Sequence, residues 1–298
     1  MVENNIILIP STPLDSPIGS VFSNIFIISS STEGLVGNDV VWDFSNVFTI
    51  HPFMAFALSL FKSVSCKAIE IINARHDVDE YLRLLHFEDI CNVDTSCAAD
   101  LHMYSRKDFI PICRFAASDD NMQHYLQNII QSQADIQRLS TPLAYIFGEL
   151  ICNVAQHSEK DEVYFSSHYV NGGNELDVCI ADKGIGIYSS YVRANKYLSQ
   201  IGDNDAVALR LANEGYSAKN LPNAENRGFG ISTSKRMLVH GLGGCFYVMS
   251  GNALQLSCAG AVDRFLELPD NVEWQGTMIF LRIPCRVRDG FNYIDYLE

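Results

Sequence analysis

The chain changes its pattern between Pro111 and Asp119, and that change limits the folds open to it. Before it, short apolar runs alternate with helical stretches. Residues 6–9, 25–29, 40–44 and 68–73 have strand composition. Residues 51–64 carry Phe53, Phe56, Ala57, Leu60 and Phe61 at helical spacing, and residues 78–87 form a second amphipathic pattern. Strands alternating with helices predict a small α/β domain. After the change, helices come first and hairpins come later. Residues 119–137 predict a polar helix with Met122, Leu126, Ile129 and Ile130 as its stripe. A second helix, with Ser140 as its cap and Pro142 in the first turn, runs to about His157. Residues 163–170 and 176–181 alternate as strands across Asn171-Gly172-Gly173, and residues 245–249 and 254–258 do so across Gly251-Asn252. A last strand over 277–283 is stopped by Pro284. Two domains are expected, 1–115 and 116–298, which suits a chain of 298 residues.

Composition decides which partners fit. Hydrophobic residues at 48% against 19% charged give a globular balance rather than a disordered one. Lys and Arg number 21 against 35 Asp and Glu, a formal charge of -14. That field repels phosphate backbones and anionic lipid heads, so bulk nucleic acid and membrane surfaces are disfavoured, while a local pocket for one anionic ligand stays open. No apolar run reaches the roughly 18 residues of a membrane span, and no basic segment with an apolar core opens the chain. Nine cysteines without a C-x-x-C pair predict reduced, packed thiols of a cytoplasmic protein.

Four segments carry chemistry. On the helix over 142–157, Leu143, Ile146, Phe147, Leu150, Ile151 and Val154 form an apolar face, while Glu149, Asn153 and Gln156 stack along another ridge. A carboxylate one turn before a carboxamide can serve a hydrated Mg2+ and a water, with Asn153 as oxygen ligand and Glu149 as proton acceptor. A solvated helix face has the same pattern. Next comes Asp182-Lys183-Gly184-Ile185-Gly186-Ile187, at a strand end, where glycines let the backbone approach a ligand. An ordinary Asp-x-Gly turn is the simpler alternative. The third is Asn226-Arg227-Gly228-Phe229-Gly230-Ile231-Ser232 before a helix over 233–240, whose free amides can hold phosphate oxygens. Neither a P-loop nor a Rossmann fingerprint is present: His240-Gly241-Leu242-Gly243-Gly244 lacks the strand and helix context. Gln275-Gly276-Thr277 opens the final strand.

In this order the segments resemble the GHKL ATPase family, whose nucleotide domain has the Bergerat fold. Glu149 to His157 is similar to its N box, Asp182 to Ile187 to its D-x-G-x-G box, Arg227 to Ile231 to its lid glycine box, and Gly276-Thr277 to its terminal G-T strand. The resemblance spans roughly residues 119–284. It implies an α/β (α+β) sandwich, a mixed sheet covered by helices on one face, with ATP and Mg2+ as cofactors. Asp182 would accept from the adenine amine with help from Thr277, and Gly184 and Gly186 would keep the base pocket open, with Ile187 beside them. Asn153 would hold Mg2+, and Arg227, Gly228, Phe229 and Gly230 would bind the phosphates, with Lys235 as a further cation or a surface residue. Glu149 would orient or deprotonate water or a partner hydroxyl. Residues 188–225, with a helix over 206–213, would form the lid.

In the first domain, Asp39 to Val47 followed by a helix resembles the strand-loop-helix of STAS-like domains. Phosphorylatable members carry a serine at the helix start, where this chain has Ile50-His51-Pro52-Phe53, so a phosphorylation switch there is not expected. Histidine autokinases need an exposed His beside an acidic residue on a helical hairpin, and His124 lacks that neighbour. The expectation is a regulatory GHKL protein acting on a protein partner, by slow ATP hydrolysis or Ser/Thr phosphoryl transfer. The alternative is a non-catalytic ATP sensor. A homodimer is compatible with either.

Overall fold

A computed structural model of the chain describes residues 5–93, 109–119, 124, 139–218, 230–269 and 271–297. It divides into two compact units, Met1–Cys91 with Pro111–Cys113, and Asn92–Ile110 with Arg114–Glu298. Together they make a mixed α/β chain with parallel and antiparallel pairings. Among the described residues no helix is long and apolar enough to cross a membrane.

The first unit alternates β1 (Ile6–Leu8), α1 (Ile18–Gly34), β2 (Asp39–Asp43), α2 (Pro52–Val64), β3 (Ala68–Ile72) and α3 (His76–Leu84). The strands form a parallel sheet in sequence order. Trp42 anchors its core: the indole N–H donates to Thr32 Oγ1 on α1 at 3.0 Å, and the ring stacks on Phe61 of α2. α2 starts cleanly because Pro52 needs no N–H partner at the first turn and His51 Nδ1 accepts from the Phe53 amide. Its residues from Pro52 to Leu60 are all buried, as a helix apolar on every side must be. The strand expected at 25–29 is instead the middle of α1. The Ile-Phe-Ile-Ile run has strand composition, but Val21, Phe22, Ile25, Ile28, Ser29 and Thr32 recur at helical spacing and form the buried face.

The second unit holds most of an eight-stranded sheet. Its strands are β4 (Cys91–Asn92), β5 (Phe109–Phe115), β6 (Val163–Val170), β7 (Glu175–Asp182), β8 (Cys245–Gly251), β9 (Ala253–Cys258), β10 (Arg264–Glu267) and β11 (Trp274–Pro284). Their order is β10-β9-β8-β11-β7-β6-β5-β4, and pairing from β6 through β10 is antiparallel. Among the described residues it is accompanied by the helices α4 (Ser140–His157), α5 (Gly186–Ala194), α6 (Leu198–Ile201), α7 (Asp205–Asn213) and α8 (Gly230–Arg236), the last continuing as a π-helical turn over Met237–Leu242. α4 packs on β7, α5 on β8 and β11, and α7 on β8, β9 and β10. Ser140 lies inside the first turn of α4 and does not cap it; Leu139 occupies the cap position. Of the helix expected over 119–137, nearly all lies outside the described residues; His124 is helical and exposed.

Two features concern packing, and the first departs from expectation. Cys245 and Cys258, directly paired across β8 and β9, form a disulfide, so the thiols are not all reduced. A facing pair of this kind brings side chains closest, which sequence spacing alone does not reveal. The glycine run at 241–244 also has a packing role. A Cβ on Gly241 would run into the rings of Phe291 and Tyr296, and one on Gly243 would enter the Arg288 guanidinium. The segment after β11 lies where those side chains would be.

Candidate functional site

The sheet's antiparallel register determines what meets what. Asp182, the last residue of β7, lies opposite Thr277 on β11, and Ile180 lies opposite Ile279. Side chains alternate along a strand, so these four share one face. Leu150, Asn153 and Val154 of α4 and Ile187 and Tyr191 of α5 close a cavity with them. Gly186 and Gly230, the first residues of α5 and α8, also line it, as do Ser158, Tyr216, Ser217 and Ala218.

Asp182 is buried and surrounded by donors. Its Oδ1 accepts from the Gly184 amide at 2.7 Å, and Thr277 gives it both a backbone and a side-chain hydrogen bond. Burial pushes the carboxyl up to about 6, against the lowering effect of those bonds. A carboxylate offers about four acceptor positions, so three internal donors leave room for one more. The backbone oxygen of Asp182 accepts from Trp274 Nε1 at 3.1 Å.

The glycines here do different work. Gly186 has φ +74, and a Cβ there would lie 3.0 Å from Ser250 Oγ and 3.2 Å from the Gly276 oxygen. Gly184 does not line the cavity; a side chain on it would overlap the backbone of Ser158, so its role is packing rather than an open base pocket. The Ile185 amide donates to that same Ser158 oxygen, which fastens the loop to the end of α4.

Glu149 and Asn153 meet α8 at its first residue. A Cβ on Gly230 would lie 2.8 Å from Glu149 Oε2, 3.0 Å from Asn153 Nδ2 and 3.4 Å from its Oδ1. Glycine thus keeps space open beside a carboxylate and a carboxamide. Asn153 Nδ2 is buried with no hydrogen-bond partner among the described residues, an orphaned group of the kind that ligand sites leave behind. Glu149 and Asn153 offer one carboxylate and one carboxamide oxygen, ligands of the kind a hard cation such as Mg2+ takes, although no group of three or more His, Cys, Asp or Glu gathers to hold a metal ion among the described residues. Tyr145, one turn before Glu149, hydrogen-bonds Thr233 of α8; burial and then the Glu149 charge raise its phenol.

The segment after Gly186 is a small packed body. Tyr191, Ile201, Ala208 and Ala212 form its core. The Tyr191 hydroxyl donates to the Tyr216 oxygen at 2.6 Å, and Tyr197 meets both rings edge-on. α7 is fixed to the sheet by a buried carboxamide pair, with Gln255 Nε2 donating to Asn213 Oδ1 at 2.8 Å and Asn213 Nδ2 returning a bond to Gln255 Oε1. Of the expected lid, the helix at 206–213 corresponds to α7, while α5 and α6 had no clear sequence signal.

Among the expected site residues, Asn153, Asp182, Gly186, Ile187, Gly230 and Thr277 line one cavity, with Glu149 at its α8 edge. Arg227, Gly228 and Phe229 lie outside the described residues. Lys235 is no phosphate ligand here: it is buried and its Nζ is 2.7 Å from Asp263 Oδ2. Sequence reasoning missed Ser158, Tyr191, Ser250 and Trp274, none of which carries a motif signal. Comparison with protein-family models, with curated proteins and with solved structures finds no match.

Proposed function

We propose that the second unit binds ATP with Mg2+ in the manner of the GHKL family and that the chain works as a regulatory switch on a protein partner. The observation that carries this reading is one cavity lined by both Asn153 and Asp182, residues 29 positions apart on different elements. Asp182 would take the exocyclic amine of adenine on its remaining acceptor position. Guanine would set its O6 acceptor against the carboxylate, an unmet pairing that costs about 1–3 kcal/mol. Asn153 would hold the metal through Oδ1, and Gly230 leaves room for it beside Glu149. Bound Mg2+ would draw charge from the phosphates. Glu149 would orient the attacking water or partner hydroxyl and take up its proton.

The first unit is proposed as the interaction module, STAS-like in form. Asp43 at the end of β2 accepts from the Ser45 amide and from Asn73, and the Ser45 bond holds its carboxyl below the usual range. His51 at the start of α2 is fully buried as a helix cap.

Calorimetry with ATP, ADP and GTP, with and without Mg2+, tests the site. Magnesium-dependent ATP binding in preference to GTP is expected. Absence of nucleotide binding refutes the proposal. Glu149→Ala separates turnover from sensing: loss of phosphate release with ATP binding retained supports catalysis. A wild-type protein that binds ATP and never cleaves it is a sensor.

A further inference from the structure

The pairing of β11 with β8 slips at its start. Trp274 lies opposite Gly251 and Thr277 opposite Ser250, so Gln275 and Gly276 form a bulge. A bulge re-aims the next side chain along its strand. Here that side chain belongs to Thr277, which gives Asp182 two of its hydrogen bonds. Gly276 has φ +107, a conformation that L side chains rarely adopt, and a Cβ there would lie 2.8 Å from both Asp182 Oδ1 and the Gly184 nitrogen.

The bulge is held on two sides. On one, the buried indole of Trp274 donates to the Asp182 backbone oxygen, where β7 leaves the sheet. On the other, Ser250 Oγ donates to the Gly276 oxygen at 2.9 Å and accepts from the Ile187 amide at 2.9 Å. One hydroxyl thereby ties the bulge to the first turn of α5, whose residues line the cavity.

We infer that the Trp274–Thr277 bulge is a positioning device for base selection. Trp274 and Ser250 act through Thr277 and the Asp182 carboxylate, which they hold at the place where an exocyclic amine is accepted and a carbonyl refused. Loss of either pin frees a buried backbone carbonyl that ordinarily keeps its partner, and the alignment of Asp182 with Thr277 loosens. This inference rests on the nucleotide proposal above.

Calorimetric titration of ATP and GTP into wild type, Trp274→Phe and Ser250→Ala tests it. Phenylalanine keeps a buried ring and removes the N–H; alanine removes one oxygen. In each variant the ratio of ATP to GTP affinity is expected to fall about five- to tenfold, through weaker ATP binding with GTP little changed. A purely structural role would weaken both nucleotides alike or neither. A ratio within about twofold of wild type in the folded variants overturns the positioning role and leaves nucleotide binding intact. If one variant does not fold, the other decides. Wild-type protein that binds neither nucleotide overturns both proposals.

Discussion

Replacing Asp182 by asparagine exchanges one acceptor oxygen for a donor in a wall already built of donors. The Gly184 and Thr277 amides cannot reverse, and only the Thr277 hydroxyl can turn to accept. The remaining oxygen can serve one of the fixed amides, and the new NH2 then faces an incoming adenine amine. Loss of a hydrogen bond to a charged group is worth about 1.5–3 kcal/mol, or roughly 10- to 150-fold in ATP affinity. The fold itself is expected to suffer less. A carboxyl raised from 3.8 to about 6 on folding costs about 3 kcal/mol once ionised, and the substitution removes that cost while losing internal bonds of similar size. The melting midpoint at neutral pH should therefore move by only a few degrees, about what 1 kcal/mol produces. Titration calorimetry with ATP and GTP, run beside thermal unfolding, measures both. GTP should bind as well as before or better, because its O6 now meets a donor. Equal losses for the two nucleotides, or an unchanged ATP affinity, would refute the base-gripping role of Asp182.

Because amine recognition needs the ionised carboxylate, ATP affinity is expected to hold above about pH 6 and to fall below it; calorimetry across a pH series checks this. The sign for the unliganded fold is opposite: with its pKa raised, Asp182 contributes stability fully below about 3.8 and loses that contribution as pH rises through about 6. Gly230→Ala would place a methyl group 2.8 Å from Glu149 Oε2, so MgATP should weaken about tenfold while adenosine binding changes little. Lys235→Met leaves Asp263 without its buried partner and should cost about 1–3 kcal/mol in urea unfolding. ATP affinity of that variant should stay at the wild-type value, and a fall would restore Lys235 as a phosphate ligand.

The motifs are legible in the sequence because each couples a residue type to a fixed backbone need. Asp182 ends a strand whose apolar run is plain, and the Asn-Gly-Gly turn before it sets the register. Glu149 and Asn153 share a helix ridge by period alone. The hidden features depend on contacts distant in sequence. Ser250 and Trp274 become pins only through a register slip, and no local pattern announces a slip. Ile25 reads as strand in a short apolar window, which cannot separate strand from helix, whereas the longer span from Val21 to Thr32 can. Lys235 resembles a phosphate ligand beside a glycine box, but its partner Asp263 lies beyond two further strands.

The chain has two tryptophans, and each belongs to a different unit: Trp42 in the parallel sheet's core and Trp274 behind the β7 end. Exchange of either for phenylalanine leaves a single tryptophan. Denaturation of the two halves can then be followed by emission one at a time, and Trp42→Phe protein carries its remaining optical label against the wall of the proposed nucleotide site.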